Sequence, residues 1–400
     1  MASSKKSAAG CGSIRKKIVK RNGKEYPYWE GRYTCGFDPG SGKQIQKSVT
    51  GKTQKEVAQK IKELTAALDA GTYIAPNKMT VGQWLDTWQS EYLANVKPST
   101  VSSYEATIRN HLQPGLGALR LDSLTTHDIQ EFYNSLHSSS ESRNALSSKT
   151  IKNIHGILHH ALEQAMLNNY IRSNPSNACV IPKAVKKKVK PMNEKQIASF
   201  LKAVKGHKYE YMFLIALFTG MRQGEVCGLQ WECVDFGNGT ILIDKQLQSL
   251  RGKVRGDKEK YALVPTKNGK ERTITAAPFV MDLLWKTKQA QDANRKDFGS
   301  DFLENDLVFT DEIGNRVTPQ ALYRAFKLVV TELNMKDVRF HDLRHSYAVV
   351  SLKSGDDVKT VQENLGHATA SFTLDTYGHV TEKMKKDSAD RMQAFIKSVS

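Results

Sequence analysis

Arg222, Lys267, His341, Arg344, His367 and Tyr377 put two guanidiniums, an amine, two imidazoles and a phenol in one 400-residue chain. That mixture suits a reacting anion, although each residue alone has an ordinary explanation. Arg222 follows Thr219-Gly220-Met221 and precedes Gly224-Glu225, so it stands where a buried helix ends and another begins, a good place for a phosphate clamp. It could equally be the salt-bridge partner of Glu225. Lys267 and Lys270 flank Asn268-Gly269, the strongest short hairpin signal a sequence offers, which predicts both lysines at a hairpin tip. Solvated surface lysines are the commonplace outcome there. His341, Arg344 and His345 fall at i, i+3 and i+4 and project to one side of a helix. A His-x-x-x-His pair also suits a metal, but the H-E-x-x-H form is absent and an arginine between two imidazoles favours an anion. Tyr377 comes ten residues after His367. An ordinary phenol, with a pKa of about 10, is protonated at neutral pH and becomes a nucleophile only beside several cations. The two arginines, the lysine and the histidines would supply that field and stabilise a pentavalent phosphorane.

The elements that must position these residues follow from periodicity. The first 24 residues hold eight Lys or Arg and no acid, the bias of disordered DNA-contacting arms and of solvated tails. Alternation over residues 26–34 and 44–49 reads as strands, with Asp38-Pro39-Gly40-Ser41-Gly42 as the turn. Val57, Ile61, Leu64 and Leu68 form the stripe of a helix stopped by Gly71. Three short strands and one helix make a small module with basic flanks, a size of sheet that can enter a major groove. After a linker at 76–79 the pattern is helical. Val81, Trp84, Leu85, Trp88 and Tyr92 share one face, Pro98 opens a second helix, Thr125 or Thr126 caps a third and Ser147 or Ser148 a fourth. Residues 183–190 contain five lysines and read as a basic connector able to neutralise phosphates. Beyond it, Asn193 with Gln196 predicts a capping box, and the apolar run 211–218 predicts a buried helix ending at Gly220. Strands are expected at 240–244, 262–266 and 271–275, and helices at 278–289, 319–333 and from 341 onward.

This organisation gives a multidomain α+β chain. It comprises a sheet-and-helix module at 1–74, a four-helix domain at 79–182, the connector at 183–190, and a mainly α domain with a small antiparallel sheet at 191–400. The net charge of +18 points to a polyanionic partner, nucleic acid before an anionic membrane. There is no long apolar run or signal-like N-terminus, and a cytoplasmic protein is expected. Cys11, Cys35, Cys179, Cys227 and Cys233 are scattered without a C-x-x-C pair, which argues against structural zinc and a disulfide framework.

At residues 219–229, Lys267, 341–345 and 365–377 the chain resembles the tyrosine recombinase, or phage integrase, family, with all of its boxes in order. The helical region resembles that family's core-binding domain. The N-terminal module resembles the arm-binding domain of integrases from conjugative transposons and temperate phages. The resemblance implies a site-specific recombinase that works through a 3′-phosphotyrosyl intermediate. Arg222 and Arg344 would grip the scissile phosphate, His341 would be the general base, Lys267 the general acid, His367 a phosphate hydrogen-bond donor and Tyr377 the nucleophile. It implies no cofactor and no metal. The implied partners are double-stranded DNA at core and arm-type sites, a homotetramer on DNA, and accessory excision or DNA-bending proteins. A cellular Xer-like recombinase, a type IB topoisomerase-like strand transferase and a catalytically silent DNA-binding regulator are the alternatives.

Overall fold

Ile14, Ile18 and Val19 interspersed with Lys and Arg build a first strand, β1 (Ile14–Arg21), inside the stretch expected to be a basic arm. The computed structural model describes residues 13–21, 24–37, 40–70, 78–139, 144–183, 190–249, 261–266, 269–366, 369 and 381–399, with the backbone alone for 381–388. Gly71, the Asp38-Pro39 part of the turn, the linker at 76–77 and most of the basic connector lie outside the described residues. β1 pairs antiparallel with β2 (Lys24–Phe37), and β2 pairs with β3 (Gln44–Gly51). Thr53 caps α1 (Gln54–Asp69) by accepting the Glu56 N–H. The α1 stripe of Val57, Ile61, Leu64 and Leu68 packs against Ile14, Trp29, Tyr33, Cys35 and Val49. The other face of the sheet carries mostly polar and charged side chains, with Val19 and Tyr26 exposed among them.

Three starts read from the sequence, Pro98, Thr125 and Ser147, open helices here, and Thr80 caps one for which no cap was expected. Thr80 and Gln83 make a capping box on α2 (Val81–Glu91), and Pro98 begins α3 (Pro98–Thr107). α3 continues through a π-helical turn, Ile108–Leu112, into α4 (Gln113–Leu116). Thr125 with Asp128 caps α5 (Thr126–His137), and Ser147 caps α6 (Ser148–Leu167). Val81, Trp84, Leu85 and Trp88 are buried with Ile151, Ile154, Leu158, Leu162 and Ala165. The Trp84 indole N–H reaches the Ala161 carbonyl at 2.8 Å. Burying each large side chain stabilises by about 1.5–3 kcal/mol. Tyr92, expected on the same stripe, sits just past α2 and is 38% exposed, its ring 5.9 Å from that of Trp84. These tryptophans are core.

The chain divides into two compact units, Met1–Ala184 and Val185–Ser400. The second begins with α7 (Glu194–Val204), opened by the Asn193–Gln196 capping box. The apolar run becomes α8 (Glu210–Thr219), and α9 (Gln223–Cys227) follows at once. α10 (Pro278–Phe298), α11 (Pro319–Glu332), α12 (Phe340–Ser354), α13 (Val358–Leu365) and α14 (Thr381–Val399) complete the helices used below. Phe200, Phe213, Phe326 and Phe340 meet in its core.

The strands correct one expectation. β4 (Val234–Asp235) pairs with β5 (Thr240–Ile243), which pairs with β8 (Arg272–Thr275), while β6 (Lys245–Ser249) pairs with β7 (Tyr261–Pro265). β7 and β8 thus do not form a hairpin with each other. Both lie along the single run 240–249. The Gly269 N–H donates to the Thr266 carbonyl at 2.8 Å. The strands on either side are set by long-range pairing rather than by the Asn-Gly signal.

Candidate active site

α8 buries Met212, Phe213, Leu214, Ile215, Ala216, Leu217 and Thr219, so its end is fixed by the core, and the residues that follow are delivered to a defined place. Gly220 ends it in the left-handed conformation at φ +67. A Cβ there would come within 2.6 Å of the Tyr347 ring and 2.7 Å of Leu365, so both backbone and packing require glycine. The freed Gly220 carbonyl accepts from Arg344 Nη1 at 2.8 Å. Two residues on, Arg222 is the N-cap of α9: its N–H donates to Glu225 Oε2 at 2.8 Å and its Nη1 to Glu225 Oε1 at 2.7 Å. Its Nη2 points to the Gly366 carbonyl at 3.4 Å.

α12 is anchored at its start by buried Asp342, which accepts the Arg339 backbone N–H at 2.8 Å and Arg339 Nη2 at 2.7 Å. Arg344, one turn in, is only 2% exposed. Besides the Gly220 carbonyl it donates through Nη2 to the Leu365 carbonyl, so one guanidinium ties together the ends of α8 and α13. His341 and His345 lie edge to face with ring centroids 4.8 Å apart. Surrounding protein, and then His345, Arg344, Arg222 and Arg339, push the His341 pKa down to about 4, although the residue itself is exposed. Burial first, then Arg339 and Arg344, outweigh Asp342 and bring buried His345 to about 4 as well. Before an anion enters, both imidazoles are therefore neutral at pH 7, and neutral imidazole is the form that can take a proton.

Glu225 is 1% exposed and holds the cationic wall together. Arg272, which the sequence reading did not select, donates Nη1 to its Oε1 at 3.0 Å and Nη2 to its Oε2 at 2.6 Å. Burial alone would raise the carboxyl, but Arg272, then Arg222, hold it at about 2. Arg272 also donates Nε to the Asn364 carbonyl at 2.8 Å. Just beyond, Gly366 ends α13 at φ +62. Of the six residues expected to do chemistry, Arg222, His341 and Arg344 are thus brought to one face. Lys267, His367 and Tyr377 lie outside the described residues. No motif marks Arg272; an arginine at the start of a strand is ordinary until its carboxylate, 47 residues away in sequence, is seen.

Among the described residues no His/Cys/Asp/Glu cluster could hold a metal ion, and no helix is long and apolar enough to cross a membrane. What the geometry offers is a cationic surface with neutral imidazoles, formed by the ends of α8 and α13 and the first turns of α12. That is suited to a phosphate diester and to proton transfer beside it.

Residues 187–384 match the Phage integrase family, and residues 80–137 match the Phage integrase, N-terminal SAM-like domain. A protein named tyrosine recombinase XerC-like, from Caldanaerobacter subterraneus subsp. tengcongensis, is 29% identical over 386 residues, covering 93% of this chain and 97% of its own. The ICEBs1 integrase of Bacillus subtilis strain 168 is 24% identical, with 90% of this chain and 95% of its own covered. In fold, the Tn1549 transposon integrase, solved in complex with transposon right end DNA, superposes with a TM-score of 0.66 at 24% identity. That match covers 79% of this chain and all of the other. The chain belongs to the phage integrase family of tyrosine recombinases, enzymes that break and rejoin DNA.

Proposed function

We propose that this recombinase is the integrase and excision enzyme of a mobile genetic element and that it acts through Tyr377. The observation that carries the reading is the convergence of Arg222, at the Gly366 carbonyl, and Arg344, at the Gly220 and Leu365 carbonyls, with His341 close enough to feel both charges, just before His367 in the chain. Arg222 and Arg344 would hold the non-bridging oxygens of the scissile phosphate. His341 takes the phenolic proton as the Tyr377 oxygen attacks phosphorus. The bond from phosphorus to the 5′ oxygen breaks, Lys267 protonates that oxygen, and His367 hydrogen-bonds the phosphate. A 5′ hydroxyl from the other duplex reverses the steps. One phosphate ester replaces another at each stage, so the chemistry consumes no ATP and calls for no divalent metal.

Lys267→Ala is expected to slow cleavage of a normal phosphodiester by about 100-fold or more. A bridging 5′-sulfur, which leaves without needing a proton, should restore most of the rate. Absence of rescue in single-turnover cleavage would assign the general acid to another residue.

The two ends of the chain would serve assembly rather than chemistry. On β2, half-buried Tyr28 and exposed Arg32 lie on the sheet face opposite α1, while Glu30 between them pairs with Arg15 and Lys17. Such a face can enter a major groove and bind arm-type sites, leaving core sites to residues 79–182 and 191–400. On α14, Met392, Phe395, Ile396 and Val399 are exposed, an apolar stripe that would dock on a neighbouring protomer in a tetramer on paired sites. Accessory excision or bending proteins would set direction, and the reaction would take place in the cytoplasm. Two truncations test the division. Removal of residues 1–74 should spare cleavage of short core substrates but weaken recombination of full attachment sites. Removal of residues 384–400 should spare single-site binding but reduce the tetramer in sedimentation. A folded arm deletion that cuts no core substrate, or a tail deletion with normal tetramer yield, would refute the corresponding assignment.

A further inference from the structure

Arg272 stands at the start of β8, five residues after Lys267, and its side chain is 9% exposed. It binds both oxygens of Glu225 and the Asn364 carbonyl. The fit continues at Gly366, where a Cβ would lie 3.0 Å from Arg272 Cδ. One side chain thus spans three pieces of the site: the strand that follows Lys267 in the chain, the carboxylate that holds Arg222, and the last turn of α13 before His367.

The charges explain why this matters. Glu225 Oε1 receives both Arg272 Nη1, at 3.0 Å, and Arg222 Nη1, at 2.7 Å. Two guanidiniums share one carboxylate, which leaves the trio with a net positive charge to offer an incoming phosphate. Without Arg272, Glu225 would have Arg222 as its one guanidinium partner. The remaining pair would be neutral, and Arg222 would have to leave a buried, singly matched carboxylate to reach DNA, which is costly in a low-dielectric site.

We propose that Arg272 is a positioning residue for strand transfer, satisfying Glu225 so that Arg222 is available to the scissile phosphate, and fixing the end of α13 through the Asn364 carbonyl. This rests on the reading of Arg222 as a phosphate ligand. It makes a prediction that a role in folding alone does not. Arg272→Met should lower the single-turnover rate constant for covalent adduct formation on a nicked core-site substrate, at saturating full-length protein, by about 100-fold. Core-site affinity should stay within about threefold. Adding Glu225→Gln removes the charge that captures Arg222, and the double variant should regain about tenfold or more of the rate. A smaller folded fraction would reduce the reaction amplitude rather than the rate constant. Arg272→Met within threefold of the unaltered protein in rate, or a double variant no faster than the single one, overturns the proposal. So does loss of core-site binding together with cleavage, which would make Arg272 a folding residue only. If the unaltered protein forms no adduct at Tyr377, the underlying reading of the site fails instead.

Discussion

Tyr377→Phe should bind core-site DNA with unchanged affinity and form no covalent complex, because the substitution removes one oxygen and leaves the ring. The effect is expected to be total within the sensitivity of a gel assay, since no other group would replace a nucleophile held in line with the phosphate. The cations gathered around the site are proposed to bind the diester whether or not the phenol is present, so affinity and chemistry should separate cleanly in this variant. An adduct of undiminished yield would show that the attacking oxygen belongs elsewhere.

Arg344 should be almost as sensitive, and for two reasons at once. Its guanidinium bridges the Gly220 and Leu365 carbonyls, and a polar group buried without its partner costs about 1–3 kcal/mol. The same group is assigned to a non-bridging oxygen of the phosphate, where loss of an oriented donor costs about 100- to 1,000-fold in rate. Arg344→Ala is therefore expected to lower both the unfolding temperature and the cleavage rate constant. Arg344→Lys should repair little, because an ammonium lacks the planar fork that meets two carbonyls and a phosphate together. Parallel thermal melts and single-turnover cleavage check this. A lysine variant within tenfold of the unaltered rate would remove Arg344 from the phosphate.

The catalytic unit was legible where local chemistry decides structure. Asn193 with Gln196 predicted a helix start, the apolar run before Gly220 predicted a buried helix and its end, and the structure has both. Thr125 and Ser147 were legible for the same reason, since a cap satisfies N–H groups within its own turn. Positions decided by distant partners were not. β1 lies in a stretch whose charge suggested a tail, yet its pairing with β2 makes it a strand. An Asn22-Gly23 dipeptide between the two, the pair that favours two-residue hairpins, was the available signal. The Asn268-Gly269 turn signal was visible, but the parting of β7 and β8 onto β6 and β5 depends on residues 12 to 35 positions away in the chain. Arg272 could not be picked out by type or spacing, because its meaning comes from Glu225 and Asn364. His345 was seen beside His341, and the structure adds the edge-to-face contact that links them.

The central claim is a covalent bond between DNA and one named side chain. Full-length protein should be incubated with a nicked core-site duplex whose short fragment diffuses away after cleavage, and the trapped complex digested and mapped by mass spectrometry. The account predicts a nucleotide linked through its 3′ phosphate to the peptide containing Tyr377, with a free 5′ hydroxyl on the departing strand. A nucleotide on any other residue, or a 5′-phosphoryl linkage, would contradict it.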